Sequence, residues 1–220
     1  MVNPPQDAAL ATADESALIE RARHGDLDAF NDLVELHQRA VYNLCLRMIG
    51  NAAAAEDSAQ EAFISAWRGL AGYRGGAFRS WLMRIAANAC TDELRRRARR
   101  PALSLDVPPP GADEPIDVPD ASEGPETVAL RHEHQAAIQA ALLRLPEDQR
   151  LAVVMCDIQG FAYDEIAAAM RVSIGTVKSR ISRGRDKLRA ELGRPEQSSG
   201  QERHMFTGPD QDTAGKRTRM

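Results

Sequence analysis

Apolar side chains recur at helical spacing along most of the 220-residue chain, which predicts a succession of helices. A short first helix runs from Asp14 to Gly25 with Leu18, Ile19 and Ala22 on its apolar side and Gly25 as its stop. Asp26 or Asp28 caps a longer one, whose Phe30, Leu33, Val34, Val41, Leu44, Cys45 and Met48 keep one face over more than five turns until Gly50-Asn51. A third helix spans about Ala53 to Leu70, with Phe63, Trp67 and Leu70 as its apolar edge, helped by Ala59 and Ala66. The loop AGYRGGAF follows, with three glycines at 72, 75 and 76. A fourth helix, about Arg79 to Arg100, turns Trp81, Leu82, Ile85, Ala86 and Ala89 inward together with Phe78.

The periodicity then stops. Residues 101–129 hold 7 prolines and 7 acids and no basic side chain, the composition of an extended acidic linker. Beyond it, Ile138, Ala141, Leu142 and Leu145 mark one helix. Pro146 opens the next, which carries Leu151, Val154, Met155 and Ile158 and stops at Gly160. The stretch Phe161 to Leu192 reads as a short helix, a tight corner and a basic helix. Ile166, Ala167 and Met170 form one apolar set, Val172 sits in the corner, and Ile174, Val177, Ile181 and Leu188 form the other. Ser173 is placed to cap the second helix, and Gly175 is expected to let the pair approach closely. That is a helix-turn-helix. The pattern thus predicts an all-α protein of two small helical domains, 14–100 and 130–192, joined by the acidic Pro-rich linker 101–129, with a disordered lead (1–13) and tail (193–220).

Composition narrows the function classes. A hydrophobic content of 43% supports folded cores, and no apolar run reaches the ~20 residues of a membrane span. The N-terminus lacks the basic start and apolar core of a secretory signal, so a cytoplasmic location is expected. Cys45, Cys90 and Cys156 form no CxxC pair and read as buried small hydrophobes. His132 and His134, two apart, make a poor metal pair. No catalytic grouping, phosphate-binding glycine loop or metal cluster is visible, so neither an enzyme nor a cofactor is expected. The net charge of −4 is set by the linker, since residues 130–195 carry 11 basic against 8 acidic side chains.

The polar faces supply the candidate chemistry. The second helix of the helix-turn-helix holds Lys178, Arg180, Arg183, Arg185, Lys187 and Arg189, and between 178 and 189 Asp186 is the one acid. With Val177 and Ile181 buried, Lys178, Ser179, Ser182 and Arg183 face outward and suit base edges, while Arg180, Arg185 and Lys187 suit phosphates. In the first domain Asp57, Gln60, Glu61 and Ile64 line one stripe of the third helix. The glycine loop, with Tyr73, Arg74 and Phe78, has the pliability and aromatic character that capture of an unstacked base requires. Arg84, Asn88, Thr91 and Arg95 line the outer stripe of the fourth helix, which ends in the run Arg95 to Arg100 with five arginines in six residues, a phosphate-binding pattern.

Three motifs in this order resemble one family: DSAQEAFISAW at 57–67, similar to a D-x-x-Q-E-x-F signature; FRSWLMRIAANACTDEL at 78–94; and Gly175 to Ile181 followed by Arg183, Gly184 and Arg185. Together they resemble bacterial RNA polymerase sigma factors of the extracytoplasmic-function (ECF) group over about residues 15–192. The resemblance implies that Asp57, Gln60, Glu61 and Ile64 dock on the clamp helices of the largest polymerase subunit. It implies that Tyr73, Arg74, Phe78, Arg84, Asn88, Asp92, Arg95 and Arg96 serve the opened −10 element. It places Thr176, Lys178, Ser179, Arg180, Ser182 and Arg183 on the −35 duplex. Core polymerase, promoter DNA and an anti-sigma factor are the implied partners of a chain that is monomeric when free, and the linker resembles the segment threading the polymerase cleft. One departure is Ala162, where family members commonly carry Ser or Thr as a helix cap. The alternative from the residues alone is a stand-alone helix-turn-helix regulator, which leaves the 57–67 motif and the Arg-rich fourth helix without a role.

Overall fold

The structure, a computed structural model, describes residues 15–99 and 125–193, and among these it contains helices and no strand. Helix α1 covers residues 15–23. It is followed by α2 (Leu27–Ile49), α3 (Ala52–Gly69) with a 3₁₀ turn at Leu70–Gly72, and α4 (Phe78–Arg99). The second unit comprises α5 (Pro125–Leu143), α6 (Glu147–Val153) running into a π-helical turn at Val154–Ile158, α7 (Tyr163–Met170) and α8 (Ile174–Leu192). The expected linker 101–129 falls outside the described residues up to 124, and its last five residues already belong to α5. The expected lead and nearly all of the tail also lie outside them.

Capping follows the sequence closely. Asp26, not Asp28, caps α2 by accepting the Ala29 N–H at 3.1 Å. Asn51, read above as part of a stop, instead starts α3 by accepting the Ala54 N–H at 3.0 Å. Helices α2, α3 and α4 pack on one another. The face α3 gives to this core is made of small residues, Ala54, Ala55, Ser58, Ala59, Ala62 and Ala66. The expected edge residues Phe63 and Trp67 are only half-buried, Trp67 meeting Phe30 at a ring separation of 5.0 Å. Small side chains let the three helix backbones approach, so the bulky ones fill the margins.

Three isoleucines predicted as core stand out in solvent instead: Ile138 at 40%, Ile158 at 43% and Ile174 at 47% exposure. The π turn explains Ile158. One extra residue per turn rotates it off the Leu151–Val154–Met155 face and carries Gln159 inward, to 8% exposure. Ile174 is the first residue of α8, before the helix has turned its apolar face to α7. Nothing in the structure explains the exposure of Ile138. Gly175 does not mediate the close approach expected of it, since a Cβ there would meet only Ser173 Oγ at 3.7 Å. Gly184 instead lets α8 close on α6, since a Cβ there would lie 2.6 Å from Val153 Cγ2.

The two units are also not apart, as a linker-joined pair would suggest. Their buried residues form one hydrophobic core. At the end of α2, a Cβ on Gly50 (φ 75) would lie 2.4 Å from Leu143 Cδ1 of α5, so that glycine both ends α2 and admits α5. Arg150, 6% exposed, donates to Met48 O of α2 and to Leu143 O (2.9 Å) and Leu145 O (3.0 Å) of the α5–α6 turn. Arg47 donates to Gln139 Oε1 at 3.0 Å, and Gln139 Nε2 donates to Leu46 O at 3.1 Å. Gln159 Nε2 donates to Ala40 O at 3.2 Å.

Two stability predictions follow from this packing. Gly184→Val should cost about 1–3 kcal/mol through overpacking against Val153, at about 2–4 °C of Tm per kcal/mol, whereas Gly175→Ala should leave thermal unfolding unchanged or slightly raised. Arg150→Met should cost about 3 kcal/mol, because carbonyls are left without a charged donor. Arg150→Lys should rescue little of it, since an ammonium cannot reproduce the planar fork. Thermal unfolding followed by circular dichroism checks both.

Candidate nucleic-acid interface

The stripe on α3 is built as a by-product of its alanine face. With that face buried, Asp57, Gln60, Glu61 and Ile64 all point to solvent, Ile64 at 44% exposure. Among the described residues no cation pairs with Asp57 or Glu61. Glu61 accepts only a long hydrogen bond from Ser65, at 3.4 Å. The result is an unneutralised acidic patch with one apolar member, suited to a basic partner surface.

The glycine loop places its candidates differently from one another. Tyr73 and Phe78 are turned inward, to 5% and 4% exposure. The Tyr73 hydroxyl donates to Gly76 O at 2.6 Å, and its ring meets Phe78 edge-on at 5.7 Å and Trp81 at 5.2 Å. Burial raises the pKa of that phenol. These aromatics brace the loop in this arrangement and leave Arg74 exposed at its tip. Along α4, Arg84 is half-exposed, and Asn88, Asp92, Arg95 and Arg96 are exposed. Arg96 and Arg97 both pair with Glu93, which is buried to 9% exposure, so part of the arginine run is held by an internal carboxylate.

On α8 the expected cap is present: Ser173 Oγ accepts the Thr176 N–H at 3.1 Å. The corner before it uses Arg171 in the left-handed region (φ 55), which the sequence did not signal. Thr176 and Ser179 are partly engaged within the helix, the Ser179 hydroxyl donating to Thr176 O at 2.9 Å. Lys178, Ser182, Arg183 and Lys187 are exposed, and none of the three cations has an acidic partner among the described residues. Two residues expected to hold phosphates are instead paired within the protein. Arg180 meets Asp148 at 2.9 Å. Arg185 forks onto Asp157 at 3.1 and 2.6 Å, and that hydrogen-bonded carboxylate holds the guanidinium charged. The Arg185 pairing comes from the π turn, which brings Asp157 under α8.

Cys45 and Cys90 are buried, as expected, while Cys156 is half-buried beside Arg185 at 3.7 Å. Burial and the neighbouring Asp157 push the Cys156 thiol up to about 11, so it is not a thiolate at neutral pH. No group of three or more potential metal ligands occurs among the described residues, and no helix there is long and apolar enough to cross a membrane.

What sequence reasoning missed is where the two units meet. A cleft of about 510 Å³ separates the glycine loop from α7, with Tyr73, Arg74, Trp81 and Arg84 on one side and Asp164 and Glu165 on the other. Ser80 Oγ donates to Glu165 Oε1. Arg79 donates to Gln159 O and Oε1 at 2.8 and 3.0 Å and lies 4.5 Å above the Phe161 ring. The available signal was a polar Gln directly before the helix-stopping Gly160.

The comparisons fit this arrangement. The family model described as Sigma-70 region 2 matches residues 33–100, and that described as Sigma-70, region 4 matches residues 135–188. The chain is 38% identical over 197 residues to the ECF RNA polymerase sigma factor SigE of Mycolicibacterium smegmatis, covering 90% of this chain and 73% of that one. It is 39% identical over 182 residues to the RNA polymerase sigma-H factor of Pseudomonas aeruginosa, covering 81% and 94%. Among solved structures it resembles CnrH in complex with the cytosolic domain of CnrY, at 26% identity and a TM-score of 0.60 over 82% of this chain and 97% of that one. It also resembles RpoE in complex with the anti-sigma factor NepR from Bartonella quintana, at 25% identity and a TM-score of 0.57 over 74% and 96%. With its acidic α3 stripe and its basic α8 falling in the two matched regions, and relatives of this identity spanning most of its length, the chain belongs to the sigma-70 family, in the ECF group.

Proposed function

We propose that this chain binds core RNA polymerase through α3 and directs it to promoters, α8 reading the −35 duplex and the loop and α4 holding the opened −10 strand. The observation that carries this reading is the pair of uncompensated surfaces on the two units. Asp57, Gln60, Glu61 and Ile64 form an exposed patch on α3, and Lys178, Ser182, Arg183 and Lys187 form an exposed cationic face on α8. The first suits the clamp helices of the largest polymerase subunit. The second suits the major groove, Arg183 and Lys178 being the strongest candidates for guanine edges. Thr176, Ser179 and Arg180 take smaller parts, since each already has a partner inside the protein.

In the first unit Arg74, Arg84, Asn88, Asp92, Arg95 and Arg96 present the strand-binding surface, while Tyr73 and Phe78 shape the loop from within. The protein performs no bond chemistry of its own. It supplies sequence recognition to the polymerase, in the cytoplasm, where that enzyme works. Two structural neighbours are bound to CnrY and to the anti-sigma factor NepR, which supports control of this chain by an anti-sigma factor as well.

The triple substitution Asp57→Ala/Gln60→Ala/Glu61→Ala should abolish capture of core polymerase in a pull-down and run-off transcription from it, with thermal unfolding unchanged because all three side chains are exposed. Retained capture would remove the docking stripe from α3. On the duplex, Arg183→Ala should cost about 1–3 kcal/mol and relax selectivity at one base pair. Lys187→Ala should weaken binding to all sequences and lower the salt slope by about 1. Arg185→Ala should chiefly lower stability. Salt-dependent duplex titrations separate the three.

A further inference from the structure

We propose that Glu93 is a positioning residue for the strand-binding surface. It holds Arg96 and Arg97 to the inner side of α4, and so limits the charge that this helix offers to phosphates. Arg99 joins Arg84, Asn88 and Arg95 as the stripe that stays free for the strand. The proposal rests on the reading of α4 as part of the strand-binding site.

The place of Glu93 on its helix is the first step. The buried residues of α4 run through Leu82, Met83, Ala86, Ala87 and Cys90 to Glu93, so a carboxylate takes the next position on the core face. Its side chain is 9% exposed. An acid near a helix C-terminus opposes the helix dipole, and a buried charge is costly unless it is paired. Two guanidinium groups offset both costs. Arg97 donates from Nε to Glu93 Oε1 at 2.7 Å, and Arg96 pairs with the other oxygen. These are i+4 and i+3 partners with the acid on the N-terminal side, the favourable order on a helix. Parting either one would weaken the compensation of a buried charge, so these pairs persist where surface pairs exchange with water.

The rest of the arginine run is placed differently. At 3.6 residues per turn, Arg84, Asn88, Arg95 and Arg99 fall within about 60° of arc, on the far side of α4 from Glu93. Arg95 has only a 3.5 Å contact to Asp92, with both side chains mostly in solvent, a pair of little strength. Arg99 is exposed and has no partner among the described residues. Arg96 still reaches the surface, but with its charge shared. Contacts to phosphates carry no sequence information, and an unbalanced run of arginines would tighten binding to every strand alike. Glu93 lowers that indiscriminate attraction and leaves the stripe around Asn88, the amide able to meet a base edge, with its free cations.

The test uses the full chain with Glu93→Gln, Arg95→Gln, Arg97→Gln and Arg99→Gln, and the triple Glu93→Gln/Arg96→Gln/Arg97→Gln. Circular dichroism confirms the fold of each. Fluorescence anisotropy follows a dye-labelled single-stranded DNA pool of random sequence across a salt series, and reads the slope of log affinity against log salt. Glu93→Gln should steepen that slope by about 0.7 for each arginine released, and bind more tightly at low salt. A glutamate that only supported the fold would change thermal unfolding and leave the slope alone, which overturns the proposal. The triple should return the slope to the wild-type value or below it. A steep slope that survives in the triple also overturns the proposal, since the gain then comes from the missing carboxylate and not from the two arginines. Arg99→Gln should lower the slope by about 0.7, and Arg97→Gln, the same change of charge two positions away, by much less. Equal losses overturn the division of the run, and this pair of variants does not depend on Glu93→Gln folding. The underlying reading is tested separately. A lowered slope in Arg95→Gln without a gain in Glu93→Gln removes the proposal alone. Wild-type slopes in both Arg95→Gln and Arg99→Gln, or no binding by any form, remove α4 from the strand site and the proposal with it.

Discussion

One buried cation holds the arrangement together. Arg150 lies at the start of an apolar run and forms no ion pair among the described residues, yet it is 6% exposed. Burial lowers its pKa, but the group is bound on three backbone carbonyls, at Met48, Leu143 and Leu145. Those carbonyls belong to the C-terminal end of α2 and to the turn after α5, places where helices leave acceptors unpaired. The guanidinium satisfies both ends at once with its planar set of donors. It also fixes where α5 lies on α2, and Gly50 makes room for Leu143 at the same point. The rest of the second unit is hung from this joint.

The π turn at Val154–Ile158 is the second constraint, because it decides what the far edge of that unit presents. A regular α-helix would have kept Ile158 on the buried face and sent Gln159 outward. The wider turn reverses the two. It places Gln159 against Ala40 and Arg79, and Asp157 under Arg185. One extra residue thus supplies both the contact to the first unit and the carboxylate that keeps α8 seated.

Much of this was legible in the sequence and some was not, for physical reasons. Helices with a strong apolar period and an acidic or hydroxyl cap, such as α2 with Asp26 and α8 with Ser173, appear with the expected faces. The α3 stripe was legible because alanine and polar positions segregate cleanly at helical spacing. The π turn was not, since its residues keep an ordinary apolar pattern and the wide turn is chosen by packing on another unit. Tyr73 was read with the base-capturing loop because a glycine loop usually exposes what it carries, whereas Phe78 was already placed on the inward side of α4 and is buried there. Here the loop folds back, and the Tyr73 hydroxyl finds Gly76 O. The pairing of Arg180 with Asp148 and of Arg185 with Asp157 spans 32 and 28 positions of sequence, beyond what local charge patterning reveals.

The Ala162 departure acquires a meaning from the structure. Helix α7 has no side chain at its cap position to accept an N–H, so its first turn relies on Glu165, whose Oε2 accepts the Ala162 N–H at 3.0 Å. The other oxygen of the same carboxylate accepts Ser80 Oγ of α4. One side chain thus completes the first turn of α7 and ties it to the neighbouring unit. A Ser or Thr at 162 would cap the N3 N–H but leave the Ala162 N–H to the same glutamate. With Ala, the N-terminal turn depends on that carboxylate and on the helix dipole, which Asp164 and Glu165 both complement. Anything that draws the Glu165 carboxylate away from Ser80 changes the environment of the turn that begins the helix-turn-helix. Stability of α7 and its contact with α4 of the first unit are therefore coupled through a single residue.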